Sequence, residues 1–290
     1  MKRSWLLWLL AVVITLLAVF YQRSTGPTHP KKIQVTLSGN TYTLSFPRSL
    51  ITDISPEQAK GDWENLGKFS VLKIRIKTKE EALSVLKETP VNLYSKRLRS
   101  SGDWQKVEGF VGNDARIKFT LPAQPPAGKI AYYLEISGVV LAKEEPIVAR
   151  FRSDVPAWAL VPHILFMFAV MLFSTLCGLL AIWNDIRWKK YAWFTLGFLF
   201  VGGFILGPIV QKFAFGAYWT GWPLGQDLTD TKTLIAATFW IIALIFSGKK
   251  TGRFLAILAA IALLAVYSIP HSTAGSDFNY ETGQVETGTK

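Results

Sequence analysis

The stretch PHILFMFAVMLFSTLCGLLAIW, residues 162–183, runs for 22 residues without an Asp, Glu, Lys or Arg. About 20 apolar residues cross the hydrocarbon core of a bilayer as one helix, so this run predicts a membrane span. Working outward, apolar runs of the same kind occupy residues 191–210, 233–247 and 254–269, and one precedes them at residues 5–21. The runs at 233–247 and 254–269 are short, which suits a thin bilayer or the interior of a bundle. The first run follows Met1-Lys2-Arg3 and has the form of a signal peptide or an anchor. No small-x-small pattern precedes Gln22, which favours an uncleaved anchor over residues 1–22.

Composition agrees with a membrane protein. Half of the 290 residues are hydrophobic, 11 are Trp and the mean hydropathy is +0.27. The formal charge of +12 would suit a nucleic-acid partner only if the basic residues shared one soluble face, and they do not. Eight Lys and Arg, against the single acid Asp185, fall in the short segments 2–3, 185–190 and 249–253. These alternate with the apolar runs, and Lys/Arg-rich short loops stay cytoplasmic. The expected topology is therefore multi-pass in a bacterial inner membrane. The N-terminus lies inside, and residues 22–156, the loop 211–232 and the tail from Pro270 lie outside. Trp5, Tyr21, Trp158, Trp183, Trp188, Tyr191 and Tyr267 at the run ends form an aromatic belt. The lone Cys177, within an apolar run, excludes an intrachain disulfide and a cysteine-based zinc site.

Residues 31–153 have a soluble composition and period-2 alternation. Ile33-Gln-Val35-Thr-Leu37 and Tyr42-Thr-Leu44-Ser-Phe46, joined by Ser38-Gly39-Asn40, read as a hairpin. Further strands are expected over residues 71–78, 91–95, 115–120, 129–137 and 146–152. About seven short strands separated by turns predict an aligned β-sandwich. The fold class expected is thus a multi-span α-helical bundle (residues 157–270) carrying an extracytoplasmic all-β sandwich, with residues 271–290 as an outer tail. Val91-Asn-Leu93-Tyr94 through Trp104 to Leu121-Pro122, followed by Ile130-Ala-Tyr132-Tyr133-Leu134, resembles immunoglobulin-like or fibronectin type III domains of bacterial surface proteins. That resemblance implies binding or spacing rather than catalysis.

The loop Gly216-Ala-Tyr218-Trp219-Thr-Gly221-Trp222-Pro223-Leu-Gly225-Gln-Asp227-Leu-Thr229-Asp230-Thr-Lys232 is aromatic, punctuated by Gly and Pro, and charged. Thr229 or Asp230 is expected to cap the following helix. Lys232 is expected to reach lipid headgroups or to pair with Asp227. Two histidines come to the same side. His163 follows Pro162, a residue favoured at the first helical position, and His271 follows Pro270 just past the last run. Two imidazoles at one height beside an aromatic slot are what a b-type haem requires. Asp277 is placed to orient His271, or to join His163 and His271 around a divalent metal, although no compact ligand spacing supports such a site.

The segment Phe215-Gly216-Ala-Tyr218-Trp219-Thr-Gly-Trp222-Pro resembles the tryptophan-rich loop of the haem-handling proteins of cytochrome c assembly. The resemblance implies His163 and His271 as haem ligands, with Trp219, Trp222 and Tyr218 around the macrocycle. Here Gly221 separates Thr220 from Trp222, and Pro223 stands where that family has an aspartate. Two functions follow as expectations: haem handling or electron transfer at the outer rim, or a non-enzymatic assembly subunit whose β domain docks other membrane or periplasmic proteins. Transport is disfavoured because the centres of the runs carry no ionisable residue. No G-x-S-x-G, Walker A, H-E-x-x-H or C-x-x-C motif points to an enzyme.

Overall fold

The computed structural model describes residues 4–98, 100, 102–270 and 275–286. Five helical segments are long and apolar enough to cross a membrane: α1 (Ser4–Thr25), α3 (Ala157–Ile182), the continuous segment Trp188–Phe215, α6 (Leu228–Ile245) and α7 (Lys250–Ser268). The segment Trp188–Phe215 comprises α4 (Trp188–Leu199), a π-helical turn Phe200–Leu206 and α5 (Gly207–Phe215). Gly202-Gly203 lie within that π-helical turn, and Gly207-Pro208 open α5.

Close helix packing uses small residues. A Cβ added to Gly178 of α3 would lie 2.6 Å from Ala260 Cβ of α7, so these helices cross at near backbone contact. Gly202 and Gly203 serve α3 and α6 in the same way, against Phe166 Cβ and Thr233 Cγ2. Arg187 Nη1 donates to Ser4 Oγ at 3.2 Å, which puts the start of α1 and the turn between α3 and α4 at one end of the bundle. At the other end Gly26 lies beside Pro270, and Ser153 N donates to Ala214 O at 3.1 Å.

The β domain is one large curled sheet of ten strands. They are β1 (Lys31–Leu37), β2 (Asn40–Phe46), β3 (Ser49–Ile51), β4 (Phe69–Lys77), β5 (Val91–Arg97), β6 (Gln105–Gly112), β7 (Arg116–Pro122), β8 (Lys129–Ile136), β9 (Val139–Leu141) and β10 (Ile147–Arg152). The hydrogen-bonded order is β1-β2-β4-β7-β6-β5-β8-β10-β3, with β9 on β8. Two separate sheets were expected, but here β6 joins the halves. Its residues 105–109 pair with β5 and its residues 110–112 pair with β7. The changeover comes at Gly109, where a Cβ would overlap the ring of Phe119. Leu44, Leu72, Ile74, Ile117 and Phe119 from one half share a single core with Leu93, Tyr132, Leu134, Ala149 and Phe151 from the other. The short helix α2 (Glu80–Lys87) adds Ala82 and Leu86 to it.

The expected tail is partly structured. β11 (Asp277–Asn279) and β12 (Gln284–Glu286) form a hairpin against the β domain, with Phe278 edge-on to Trp63 and Phe278 N donating to Ala127 O at 3.2 Å. Phe278, Trp63, Ile54 and Ala123 form a small apolar cluster that Phe215 of α5 also touches.

Because Gly109 leaves room for the Phe119 ring, Gly109→Ala is expected to destabilise the chain by about 1–3 kcal/mol, as overpacking does. Adding Phe119→Leu should recover part of that loss, measured as the thermal unfolding midpoint in detergent.

Candidate functional site

Where the bundle meets the β domain, a cavity of about 290 Å³ opens between the elements. One wall is apolar and comes from Val19 of α1, Ile164, Met167, Phe168 and Met171 of α3, and Val210 of α5. The other is polar and includes Arg150 of β10, His163 of α3, Gln211 of α5, and Asp227, Asp230 and Lys232 around the start of α6. A concave apolar pocket with a few convergent polar groups is the usual form of a small-molecule site.

His163 is placed by its helix. α3 begins at Ala157, with Pro156 as its cap, so Pro162 lies inside the helix rather than at its first position, and His163 sits in the second turn. Its Nδ1 is 2.9 Å from Gly202 O in the π-helical turn. A carbonyl oxygen only accepts, so Nδ1 carries the proton of the neutral ring and Nε2 keeps its lone pair.

The charged residues of the loop are helix-end groups. α6 starts at Leu228, earlier than the expected 233, because Asp227 is its cap and accepts from Thr229 N at 2.8 Å. Asp227 Oδ2 also accepts from Ser276 Oγ at 3.3 Å. Asp230, in the first turn, accepts through Oδ2 from Thr220 N at 2.7 Å, Gly221 N at 3.1 Å and Thr220 Oγ1 at 3.3 Å. Gly221 permits this, since a Cβ there would be 2.5 Å from Asp230 Cβ. Among the described residues Lys232 pairs with no carboxylate: only 2 % exposed, it donates to Ile269 O at 2.7 Å and to Pro270 O at 3.5 Å. It thereby satisfies backbone carbonyls just past the end of α7.

Arg150 was not foreseen from the sequence. Period-2 alternation along Ile147-Val-Ala-Arg150-Phe151-Arg152 puts it on the outward face of the sheet, yet it is buried. Phe215 covers it, with the ring centroid 4.1 Å from Cζ, and Nη2 donates to Ser276 O at 2.7 Å. Gly275 leaves room for the guanidinium, for a Cβ there would be 2.8 Å from Nη1. Burial pulls the Arg150 pKa below the usual guanidinium value, while the charges of Asp227 and Asp277 oppose that shift. Arg150 Nε is buried without a partner. Among the described residues neither Arg150 nor Lys232 forms an ion pair.

The other expected site residues are not gathered here. Trp219 stacks on Phe204 with centroids 5.8 Å apart and donates from Nε1 to Trp222 O at 3.2 Å. Tyr218 is exposed beneath Lys212 Nζ, and Trp222 is 64 % exposed. None of the three lines the cavity. Asp277 pairs with Lys129 on the β domain. His271 lies outside the described residues. Among the described residues no three His, Cys, Asp or Glu are grouped to hold a metal ion. The loop is held to α6 by Asp230 and by Thr231 Oγ1, which accepts from Trp222 N at 3.1 Å.

Asp230→Ala strands two buried N–H donors and is expected to cost about 1–3 kcal/mol for each, whereas the exposed Trp222→Ala should change stability by less than about 0.5 kcal/mol. Thermal unfolding of the two variants checks the contrast. Compared with protein-family models, curated proteins and solved structures, the chain matches none, so the haem-handling and immunoglobulin-like likenesses rest on sequence pattern alone.

Proposed function

We propose that this chain is a multi-pass membrane protein that binds an anionic amphiphile in the cavity between its helix bundle and its β domain. The observation that carries this reading is the division of the cavity into an apolar helical wall and a polar wall that includes the buried guanidinium group of Arg150. Asp227 and Asp230 are already engaged by N–H and O–H donors. What the polar wall offers an incoming anion is therefore the positive charge of Arg150, with His163 lining the same cavity. A carboxylate or phosphate head suits the guanidinium, and a hydrocarbon tail suits Met167, Phe168 and Met171.

The five apolar helices are read as membrane spans. Arg187, Lys189, Lys190, Lys249, Lys250 and Arg253 cluster at the end of the bundle away from the β domain, which supports a cytoplasmic placement for that end. The β domain and the cavity then lie on the outer side of a bacterial inner membrane. In this reading the curled sheet is a β-sandwich modified by the strand that bridges its halves.

Protein purified in mild detergent should carry an acidic amphiphile detectable by native mass spectrometry. Arg150→Met, which keeps the stem and removes the donors, should weaken retention by about 2–5 kcal/mol, as loss of a buried charge partner does. Met167→Trp, which fills the apolar wall, should also release the molecule. Folded Arg150→Met and Met167→Trp proteins that retain it as the wild type does would sink the proposal.

A b-type haem is the second reading, and the bare Nε2 of His163 in the cavity is what favours it. Trp219 and Trp222, away from the cavity, count against it. A Soret band abolished by His163→Ala would support haem, and its absence from folded protein grown with ample haem would remove that reading.

A further inference from the structure

The outward face of β4 and β7 carries a charge arrangement that folding alone does not favour. In their antiparallel register Lys73 lies opposite Lys118, and Arg75 lies opposite Arg116. Directly opposed residues point to the same face, and like charges in such pairs are destabilising. The second row extends through Ser45 of β2 to Lys32 of β1, and Lys77 stands beside Thr43. Lys32, Lys73, Arg75 and Lys77 are exposed, and Arg116 and Lys118 are partly so.

Acids offset little of this. Asp114, in the turn between β6 and β7, reaches Lys118 at 3.2 Å and Arg116 at 3.8 Å. The next acid in register, Glu108, lies on the part of β6 that pairs with β5. Beside the cations three large apolar side chains are exposed, Phe69, Val71 and Phe110, and Lys118 Nζ is 6.0 Å from the Phe110 ring. Arginine and aromatic side chains are enriched at protein interfaces, and Arg75, Arg116, Phe69 and Phe110 supply both on this face.

We propose that this face docks an acidic protein surface. Its placement separates that partner from the bilayer. Lys68 O accepts from Ala123 N at 3.0 Å, and Ala123 belongs to the apolar cluster that touches α5, so β4 begins on the bundle side. Lys73, Arg75 and Lys77, four, six and eight residues on from Phe69, are about 13, 20 and 26 Å farther along the strand at ~3.3 Å per residue. Each distance exceeds the Debye length of about 8 Å at physiological ionic strength, so headgroups beside the bundle are poorly placed to neutralise the row.

The test uses full-length protein in nanodiscs of neutral lipid, with fluorescent poly-glutamate as the acidic probe and anisotropy as the readout. Binding should weaken on raising the salt, and Lys73→Glu combined with Arg75→Glu should reduce affinity by about tenfold or more, as charge reversal at a complementary surface does. Lys106→Glu, on the part of β6 that pairs with β5, should leave binding unchanged. Because the double variant turns two like-charge pairs into opposite-charge pairs, its thermal midpoint should hold or rise. Wild-type-like binding by the double variant would overturn the proposal. A fall in its thermal midpoint would do so too, by showing that the rows serve the fold. Tighter binding to phosphatidylglycerol vesicles than to the peptide through the same residues would assign the face to membrane instead.

Discussion

The guanidinium of Arg150 sits where three parts of the chain meet. It stands on the last strand of the large sheet, lies against Phe215 at the end of α5, and donates to Ser276 beyond the last helix. Burying a charge is costly unless hydrogen bonds and neighbouring charge compensate for it. Here one carbonyl, one aromatic face and two nearby carboxylates do so, and all but Asp277 come from the bundle or the chain that links it to the terminal hairpin. The β domain is thus held against the helices by an interaction that neither part could make alone.

The same economy governs the polar residues beside it. Asp227 caps α6, Asp230 secures the aromatic loop, and Lys232 closes the end of α7. Each satisfies backbone groups that would otherwise face an apolar surrounding, where a missing hydrogen bond is expensive. His163 performs a comparable service for the π-helical turn through one nitrogen, and its other nitrogen is left for the cavity. The cavity is therefore bounded by side chains fixed for structural reasons, which gives any ligand a preorganised surface.

The helices were legible because a run such as 162–183 has few alternatives to a buried or membrane helix. The first hairpin was legible from Ser38-Gly39, where both residues adopt the left-handed conformation that a two-residue turn requires. β6 was not, since Gly109 and Gly112 read as breakers, yet Gly109 is where the strand changes partners. Within the site, His163, Asp227, Asp230 and Lys232 could be named from the sequence, but their roles could not. Caps and carbonyl partners depend on which chain end lies opposite. Arg150 was invisible because its alternation phase is that of a solvated residue, and only tertiary structure brings Phe215 and residue 275 over it. Trp219 and Trp222 misled for the converse reason: their composition suggests a slot, while Asp230 turns the loop to pack on α5 and the π-helical turn.

The terminal hairpin sets an order on biogenesis. Trp63 belongs to a segment synthesised before four of the five apolar helices, but its edge-on partner, Phe278, comes after all of them. Domains generally fold as units during synthesis, N-terminal parts first, and apolar surface left exposed in the interval invites misassembly. The cluster of Ile54, Trp63 and Ala123 stays incomplete until α7 has been placed and the chain has returned to the β domain. Completion of the domain therefore reports that the whole bundle has been threaded, and a chain stalled before residue 278 would display an unfinished apolar surface for quality control to find.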